Sequence, residues 1–195
     1  MASPDTSPLG HAAKFPGSIV VMGVSGSGKT SVGEAVARAF GYAFIEGDAL
    51  HPPTNIAKMS AGIPLTDEDR WPWLGEIGRK LSASAEPIVV SCSALKRSYR
   101  VLLRESAGGD LAFVYLHGSR DVLSGRMQHR EGHFMPASLL DTQLATLEEP
   151  IAEPRTVVVD VDQSAVDVIK ATLAALRGLG LPGKTAPRDA GLGSR

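Results

Sequence analysis

Cysteine is almost missing from this chain: Cys92 is the only one in 195 residues. No internal disulfide can form, and such usage fits a reducing compartment. A net charge is missing too. The balance of −1 gives no global basic field to draw in nucleic acid, and the one short basic run, at 96–104, is too small for that role. No apolar run approaches the ~20 residues that a membrane-spanning helix needs. The start of the chain lacks a charged segment followed by an apolar core, so it does not read as a secretion signal. A cytoplasmic protein with no membrane and no nucleic-acid partner is expected. Aromatic residues make up only 5 % of the chain while glycine occurs 21 times, within the range of an ordinary globular protein.

The length suggests one domain with a small inserted subregion, enough to bury a substantial core. Residues 1–17 and 179–195 are rich in Gly, Pro and small residues without apolar periodicity, and are expected to be disordered arms around a domain at 18–178. No internal repeat is present.

The chain is organised around Gly23-Val24-Ser25-Gly26-Ser27-Gly28-Lys29-Thr30, which fits the phosphate-loop pattern G-x-x-x-x-G-K-[ST]. The apolar run Ile19-Val20-Val21-Met22 before it reads as a strand. Val32, Val36 and Phe40 after it have helical spacing. Strand, glycine loop and helix form the context in which this motif binds phosphate. Small residues let successive N–H groups turn inward on anionic oxygens, and the helix adds the positive end of its dipole. Lys29 is expected on the β- and γ-phosphates, the Thr30 hydroxyl on Mg²⁺, and Ser31 beside the nucleotide. The motif points to ATP or another triphosphate and leaves the acceptor open.

Strand and helix patterns then alternate. Strands are expected at 42–46, 88–91, 111–116 and 156–160, and helices at 55–61, from about Thr66 through Leu81, and at 94–105, 119–129, 137–147 and 164–177. Trp73, Leu74, Ile77 and Leu81 form one inward stripe, and Val166, Ile169, Leu173 and Leu176 another. Such alternation gives a parallel sheet with helices on both faces. The predicted fold is an α/β, three-layer P-loop NTPase with a five-stranded parallel sheet. Fold analogy suggests the order 2-3-1-4-5, a helical substrate-binding insertion at 51–84 and a lid at 126–136.

From Gly47 onward the motifs become specific. Gly47-Asp48-Ala49-Leu50-His51-Pro52, Asn55-Ile56-Ala57-Lys58-Met59, Gly62-Ile63-Pro64-Leu65 and Asp67-Glu68-Asp69-Arg70-Trp71-Pro72-Trp73-Leu74 follow in order. They continue with Cys92-Ser93-Ala94-Leu95-Lys96-Arg97-Ser98-Tyr99-Arg100, His133-Phe134-Met135 and Leu147-Glu148-Glu149-Pro150. Together with the phosphate loop, this series resembles the gluconate kinase family, related in fold to shikimate and nucleoside monophosphate kinases. The resemblance covers nearly all of the chain between the arms. It implies transfer of the γ-phosphoryl group of ATP, with Mg²⁺, to the 6-hydroxyl of D-gluconate, whose product enters the pentose phosphate route. It also implies a homodimer. The family's usual Asp-Gly-Asp-Asp is replaced here by Glu46-Gly47-Asp48-Ala49. Glu46 keeps a carboxylate that can face Mg²⁺ through water, whereas Ala49 loses one.

Under this resemblance Asp48 accepts or orients the 6-hydroxyl proton. A turn-capping Asp is the plain alternative. Arg70 suits the gluconate carboxylate, because a guanidinium can bind both oxygens; a solvated helix face is its alternative. His51, Lys58 and Arg97 are further acceptor contacts, and Ser93 lines the same pocket, with Cys92 a packing residue. Arg100 and Arg104 are expected on a solvated face. Arg126 and Arg130, four residues apart on one helix face, would stack on adenine and stabilise the transferring phosphoryl group, respectively. A helix end capped by cations is the alternative. His133 and Gln143 would touch gluconate on lid closure. Asp162 and Gln163 would border the adenine, although Asp162 or Ser164 could equally cap the last helix. Two other functions stay open: a kinase with a shikimate- or nucleotide-type acceptor, and a non-catalytic nucleotide-binding switch. The absence of an Asn-Lys-x-Asp segment counts against a GTPase switch.

Overall fold

The computed structural model describes residues 17–128 and 137–180. Five strands, β1 (Ile19–Met22), β2 (Ala43–Glu46), β3 (Ile88–Ser91), β4 (Ala112–His117) and β5 (Thr156–Asp160), form one sheet in the order β2-β3-β1-β4-β5. Every pairing is parallel. The connections carry α1 (Lys29–Phe40), a 3-10 turn (Gly47–Leu50), α2 (Pro53–Ser60), α3 (Asp67–Ala83), α4 (Arg97–Ser106), α5 (Arg120–Gln128) and α6 (Ala137–Thr146), and α7 (Ala165–Gly178) follows the last strand. The expected strand order is the one found.

β1 shows why its apolar run is continuous. Its side chains alternate between two buried layers. Ile19 and Val21 pack with Val32, Val36 and Phe40 of α1 and with Val168 and Leu176 of α7. Val20 and Met22 pack with Trp73, Leu74 and Ile77 of α3 and with Tyr99 and Leu103 of α4. A central parallel strand covered on both faces has no polar side to offer. The stripe predicted for α3 is buried as expected. Its start is set by a capping box: the Thr66 hydroxyl accepts from the Asp69 N–H, and the Asp69 carboxylate accepts from the Thr66 N–H. A cap of this kind contributes about 1 kcal/mol. The inward Trp73 also donates from Nε1 to the Gly47 carbonyl at 2.7 Å, which fastens α3 to the end of β2.

Four local expectations are corrected. α4 begins at Arg97, not Ala94, because Ala94 has φ 44° and Lys96 is extended. Arg100 and Arg104 do not lie on a solvated face: Arg100 is 1 % exposed, and both pair with Glu153. On α7 the buried stripe runs through Val168, Thr172 and Leu176, with Ile169 and Leu173 at its edge, while Val166 is 60 % exposed. The spacing was right and the phase was wrong, since Val166 falls in the first turn after the Ser164 cap. α2 also starts earlier than expected, with Pro53 in its first turn, where a missing N–H costs nothing.

Candidate active site

The C-terminal ends of β1, β2 and β3 converge on the phosphate loop. Gly23, Gly26 and Gly28 all have positive φ. At Gly26 the need for glycine is steric as well, since a Cβ would lie 2.6 Å from the Leu123 carbonyl oxygen. Gly28, at φ 91°, caps the N-terminus of α1, so the positive end of the helix dipole lies at the loop. Lys29 Nζ donates to the Val24 carbonyl at 3.1 Å, which folds its side chain back over the loop. Ser27 is fully buried, and its hydroxyl has no hydrogen-bond partner among the described residues.

Thr30 Oγ1 donates to Glu46 Oε2 at 2.6 Å. The other Glu46 oxygen accepts a short hydrogen bond from the Ser91 hydroxyl, which itself accepts from the Gly47 N–H at 3.0 Å. One carboxylate thus joins the ends of β2 and β3 to the first turn of α1. Among the described residues, no group of three or more His, Cys, Asp or Glu could hold a metal by itself. A hydroxyl and a carboxylate beside a phosphate loop nevertheless fit Mg²⁺, which takes one or two protein oxygens and fills its shell with phosphate and water.

Two cavities meet here. A cleft of about 480 Å³ is bordered by residues 25–32 of the loop and α1, by Glu46 and Asp48, by Arg126 and by Ala165, Val168 and Ile169 of α7. A narrower cavity of about 60 Å³ is bordered by Lys29, Asp48, His51, Arg70, Trp73, Ser93, Leu95 and Gln143, with Met59, Ile63, Pro64 and Leu65 contributing apolar contacts. Lys29 and Asp48 line both cavities.

The second cavity is built from the segment between β2 and β3. His51 is 7 % exposed and stacks on Trp73 with ring centroids 4.0 Å apart. Its Nδ1 lies 3.2 Å from the amide nitrogen of the buried Asn55, which also donates to the Asp69 carbonyl. Burial lowers the His51 pKa; Asp48 pulls it up and Arg70 pushes it down. Arg70 is 8 % exposed. Behind it Asp67, 4.0 Å away, accepts from Lys96 and from the Tyr99 hydroxyl. Burial and the Asp67 carboxylate push the Tyr99 hydroxyl up to about 12, so it stays a donor. Gln143 of α6 accepts from the Ser25 N–H at 2.7 Å, linking the second cavity to the phosphate loop.

Several predicted site residues stand elsewhere. Lys58 is tied to Asp69 at 2.6 Å and does not border the second cavity. Arg97 is exposed and meets Glu148 through its backbone N–H. Asp162 accepts from the Ser119 N–H, and the Gln163 side chain donates to the Asp160 carbonyl. Neither of these two borders the larger cleft; α7 supplies that wall. Arg126 does border it, anchored on the carbonyls of Val161 and Gln163. Arg130 and His133 lie outside the described residues. Cys92 is fully buried, and burial pushes its thiol up to about 12, as a packing residue requires. Ser91 and Asn55 were missed from sequence. A serine ending an apolar strand is the signal that could have singled out Ser91, because ligands gather at strand ends.

The phosphate loop, the oxygen pair at Thr30 and Glu46, and a second cavity sharing Lys29 and Asp48 define a P-loop kinase. An AAA-domain family model matches residues 19–150. The gluconokinase of Gluconobacter oxydans strain 621H is 55 % identical over 140 residues, covering 69 % of this chain and 77 % of that protein. The thermoresistant gluconokinase of Escherichia coli K12 is 46 % identical over 162 residues, covering 81 % of this chain and 92 % of the other. A crystal structure of a gluconokinase from Sinorhizobium meliloti 1021 is 70 % identical, with TM-score 0.81, covering 85 % of this chain and 94 % of that one. The chain belongs to the gluconokinase family.

Proposed function

We propose that this protein transfers the γ-phosphoryl group of ATP to the 6-hydroxyl of D-gluconate, giving 6-phospho-D-gluconate and ADP. The observation that carries the reading is the meeting of the two cavities at Lys29 and Asp48. A donor phosphate on the loop and an acceptor hydroxyl in the smaller cavity would then share these two side chains.

Phosphoryl transfer asks for positioning and charge neutralisation more than for covalent chemistry. The loop N–H groups and Lys29 bind the phosphates. Thr30 and Glu46 would hold Mg²⁺, with Ser91 fixing the Glu46 carboxylate. When bound there, the ion would supply charge neutralisation at the phosphates. Asp48 orients the acceptor hydroxyl and takes its proton. Arg70, held by Asp67, binds the acceptor carboxylate through its guanidinium fork. His51, kept neutral by burial, can exchange hydrogen bonds with the acceptor's hydroxyls, as can Ser93 and Gln143. The sequence-based roles of Arg130 at the transferring group and of His133 at the acceptor belong to the same reading. So do Arg126 beside the adenine, a homodimeric assembly and a cytoplasmic location. Among the described residues, no helix is long and apolar enough to cross a membrane.

The test is ADP release from ATP·Mg²⁺ with gluconate, shikimate, AMP and CMP supplied separately. Strong release with gluconate alone is expected. Release with another acceptor and none with gluconate would overturn the acceptor assignment and leave the phosphate site standing. ATP binding without release from any of the four would favour a non-catalytic switch.

A further inference from the structure

Between β3 and α4 the chain makes a bend at Ser93–Lys96 that the sequence does not advertise. Ala94 sits at φ 44°, a left-handed conformation that is strained for a non-glycine residue. The bend is held from outside. Arg100 Nη1 donates to the Ala94 carbonyl at 2.8 Å and to the Leu95 carbonyl at 3.0 Å. The rest of the guanidinium is occupied by Glu153, with Nη2 at 2.5 Å and Nε at 3.0 and 3.1 Å from its oxygens. Arg104 adds a third charge, with Nη1 donating to Glu153 Oε2 at 2.7 Å. Burial opposes ionisation of Glu153, but the hydrogen bonds from the two arginines outweigh it and leave its carboxyl below the usual range. The Arg100 side chain is 1 % exposed and that of Glu153 12 %.

A buried ion pair is a weak source of stability, because desolvation offsets most of its attraction. What this pair holds is more telling. Ser93 and Leu95, inside the bend, border the smaller cavity. Lys96, the last residue of the bend, donates twice to Asp67, which stands 4.0 Å from Arg70. The bend therefore reaches the cavity twice, as a wall and through the carboxylate beside Arg70. We propose that Arg100 is a positioning residue for acceptor binding: anchored by Glu153, its guanidinium holds the Ser93–Lys96 bend in place and sets acceptor affinity. The inference rests on reading the smaller cavity as the acceptor site.

Arg100→Lys and the double variant Arg100→Met/Glu153→Leu test it. Lysine keeps the charge but, as a single ammonium, cannot serve both carbonyls and the carboxylate at once. The double variant removes both charges of that pair, although Arg104, whose side chain is 15 % exposed, then loses its carboxylate partner. In each, the gluconate KM should rise about tenfold, a loss of about 1.4 kcal/mol of binding, with kcat and the ATP KM within about threefold of wild type. The double variant should still carry the raised gluconate KM, whatever its melting temperature. A purely structural role would lower active fraction and melting temperature while leaving that KM unchanged. Wild-type turnover of gluconate with an unchanged gluconate KM in both variants would refute the role of Arg100. Absence of gluconate turnover in the wild type would refute the acceptor reading instead.

Discussion

Gly47→Ala should damage both the fold and the reaction, for one steric reason. Gly47 lies between Glu46 and Asp48 and is buried. Its N–H donates to the Ser91 hydroxyl at 3.0 Å, and its carbonyl accepts from Trp73 Nε1 at 2.7 Å. A Cβ there would stand 1.9 Å from the Ser91 carbonyl oxygen and 3.1 Å from its carbon. The obstacle is backbone of the neighbouring strand, so no rotamer change relieves it. Either the ends of β2 and β3 part by more than ~1 Å to reach ordinary contact, or the Gly47 peptide turns and loses one of its two hydrogen bonds. Overpacking of this kind costs about 1–3 kcal/mol, and a lost hydrogen bond about 1 more. For a chain of this length that corresponds to a fall of about 5–10 °C in melting temperature. The displaced segment carries Glu46 on one side and Asp48 on the other. A misplacement near 1 Å costs about 100-fold in rate, so kcat for ADP release with gluconate should fall by about that factor. Gly75→Ala is the control, since a Cβ on that α3 glycine meets nothing within 4 Å. It should leave kcat unchanged and stabilise slightly, as alanine does in helices. Calorimetry and a coupled ADP assay on both variants decide the matter. A Gly47→Ala protein with wild-type melting temperature and kcat would refute the argument.

Four further outcomes follow from the site. Arg70→Ala should raise the gluconate KM by about 10- to 100-fold, as expected for a lost charge-assisted pair, with a smaller change in kcat; an unchanged KM would move the acceptor's carboxylate elsewhere. Asp48→Asn should lower kcat by about 100-fold or more while ATP binding, measured by calorimetry, stays near wild type; near-normal turnover would remove Asp48 as the base. His51 has a folded-state pKa below its ordinary value of 6.5 because it is buried. The unfolded chain therefore takes up the proton first as pH falls, so the stability contributed by neutral His51 is complete above about pH 6.5 and shrinks below it. Urea midpoints across that range should show this slope, and His51→Gln should flatten it. Cys92, with its thiol pushed up to about 12 by burial, should react with a thiol reagent at neutral pH only at the rate of unfolding; fast native-state labelling would contradict its packing role.

The phosphate loop and the sheet were legible because each is written locally. Loop chemistry needs fixed residues at fixed spacing, and a strand buried on both faces needs an unbroken apolar run. The stripe of α3 was legible for the same reason. What the sequence concealed depends on partners far along the chain. Arg100 and Arg104 read as a solvated basic face until Glu153, some fifty residues on, turns them inward. The Ser93–Lys96 bend carries no glycine to announce its left-handed residue, so helix periodicity ran back to Ala94. Lys58 read as an acceptor contact within the insertion, and its pairing with Asp69 was not visible from the sequence. Ser91 looked like the plain end of a strand, and only the neighbouring β2 reveals that its hydroxyl serves Glu46. At Val166 the period was correct but the phase was not, because phase depends on where the helix meets the sheet.

The geometry also explains how donor and acceptor recognition can be set separately. The larger cleft, read as the phosphate site, is bordered by the loop between β1 and α1, with Glu46 at the end of the edge strand β2. The smaller cavity, proposed for the acceptor, is walled by the segment between β2 and β3, by the bend before α4 and by α6. Changes at Arg70, His51 or Ser93 can therefore alter the acceptor without disturbing the loop. Two side chains are exempt from this separation. Lys29 and Asp48 face both cavities, so substitution at either alters the relation between the substrates and not just the affinity for one. Gly47 extends the same constraint into the backbone. It sits where β2 and β3 touch, and its missing side chain is what lets Glu46 and Asp48, the carboxylates proposed for the metal and the acceptor, stand on either side of that close contact.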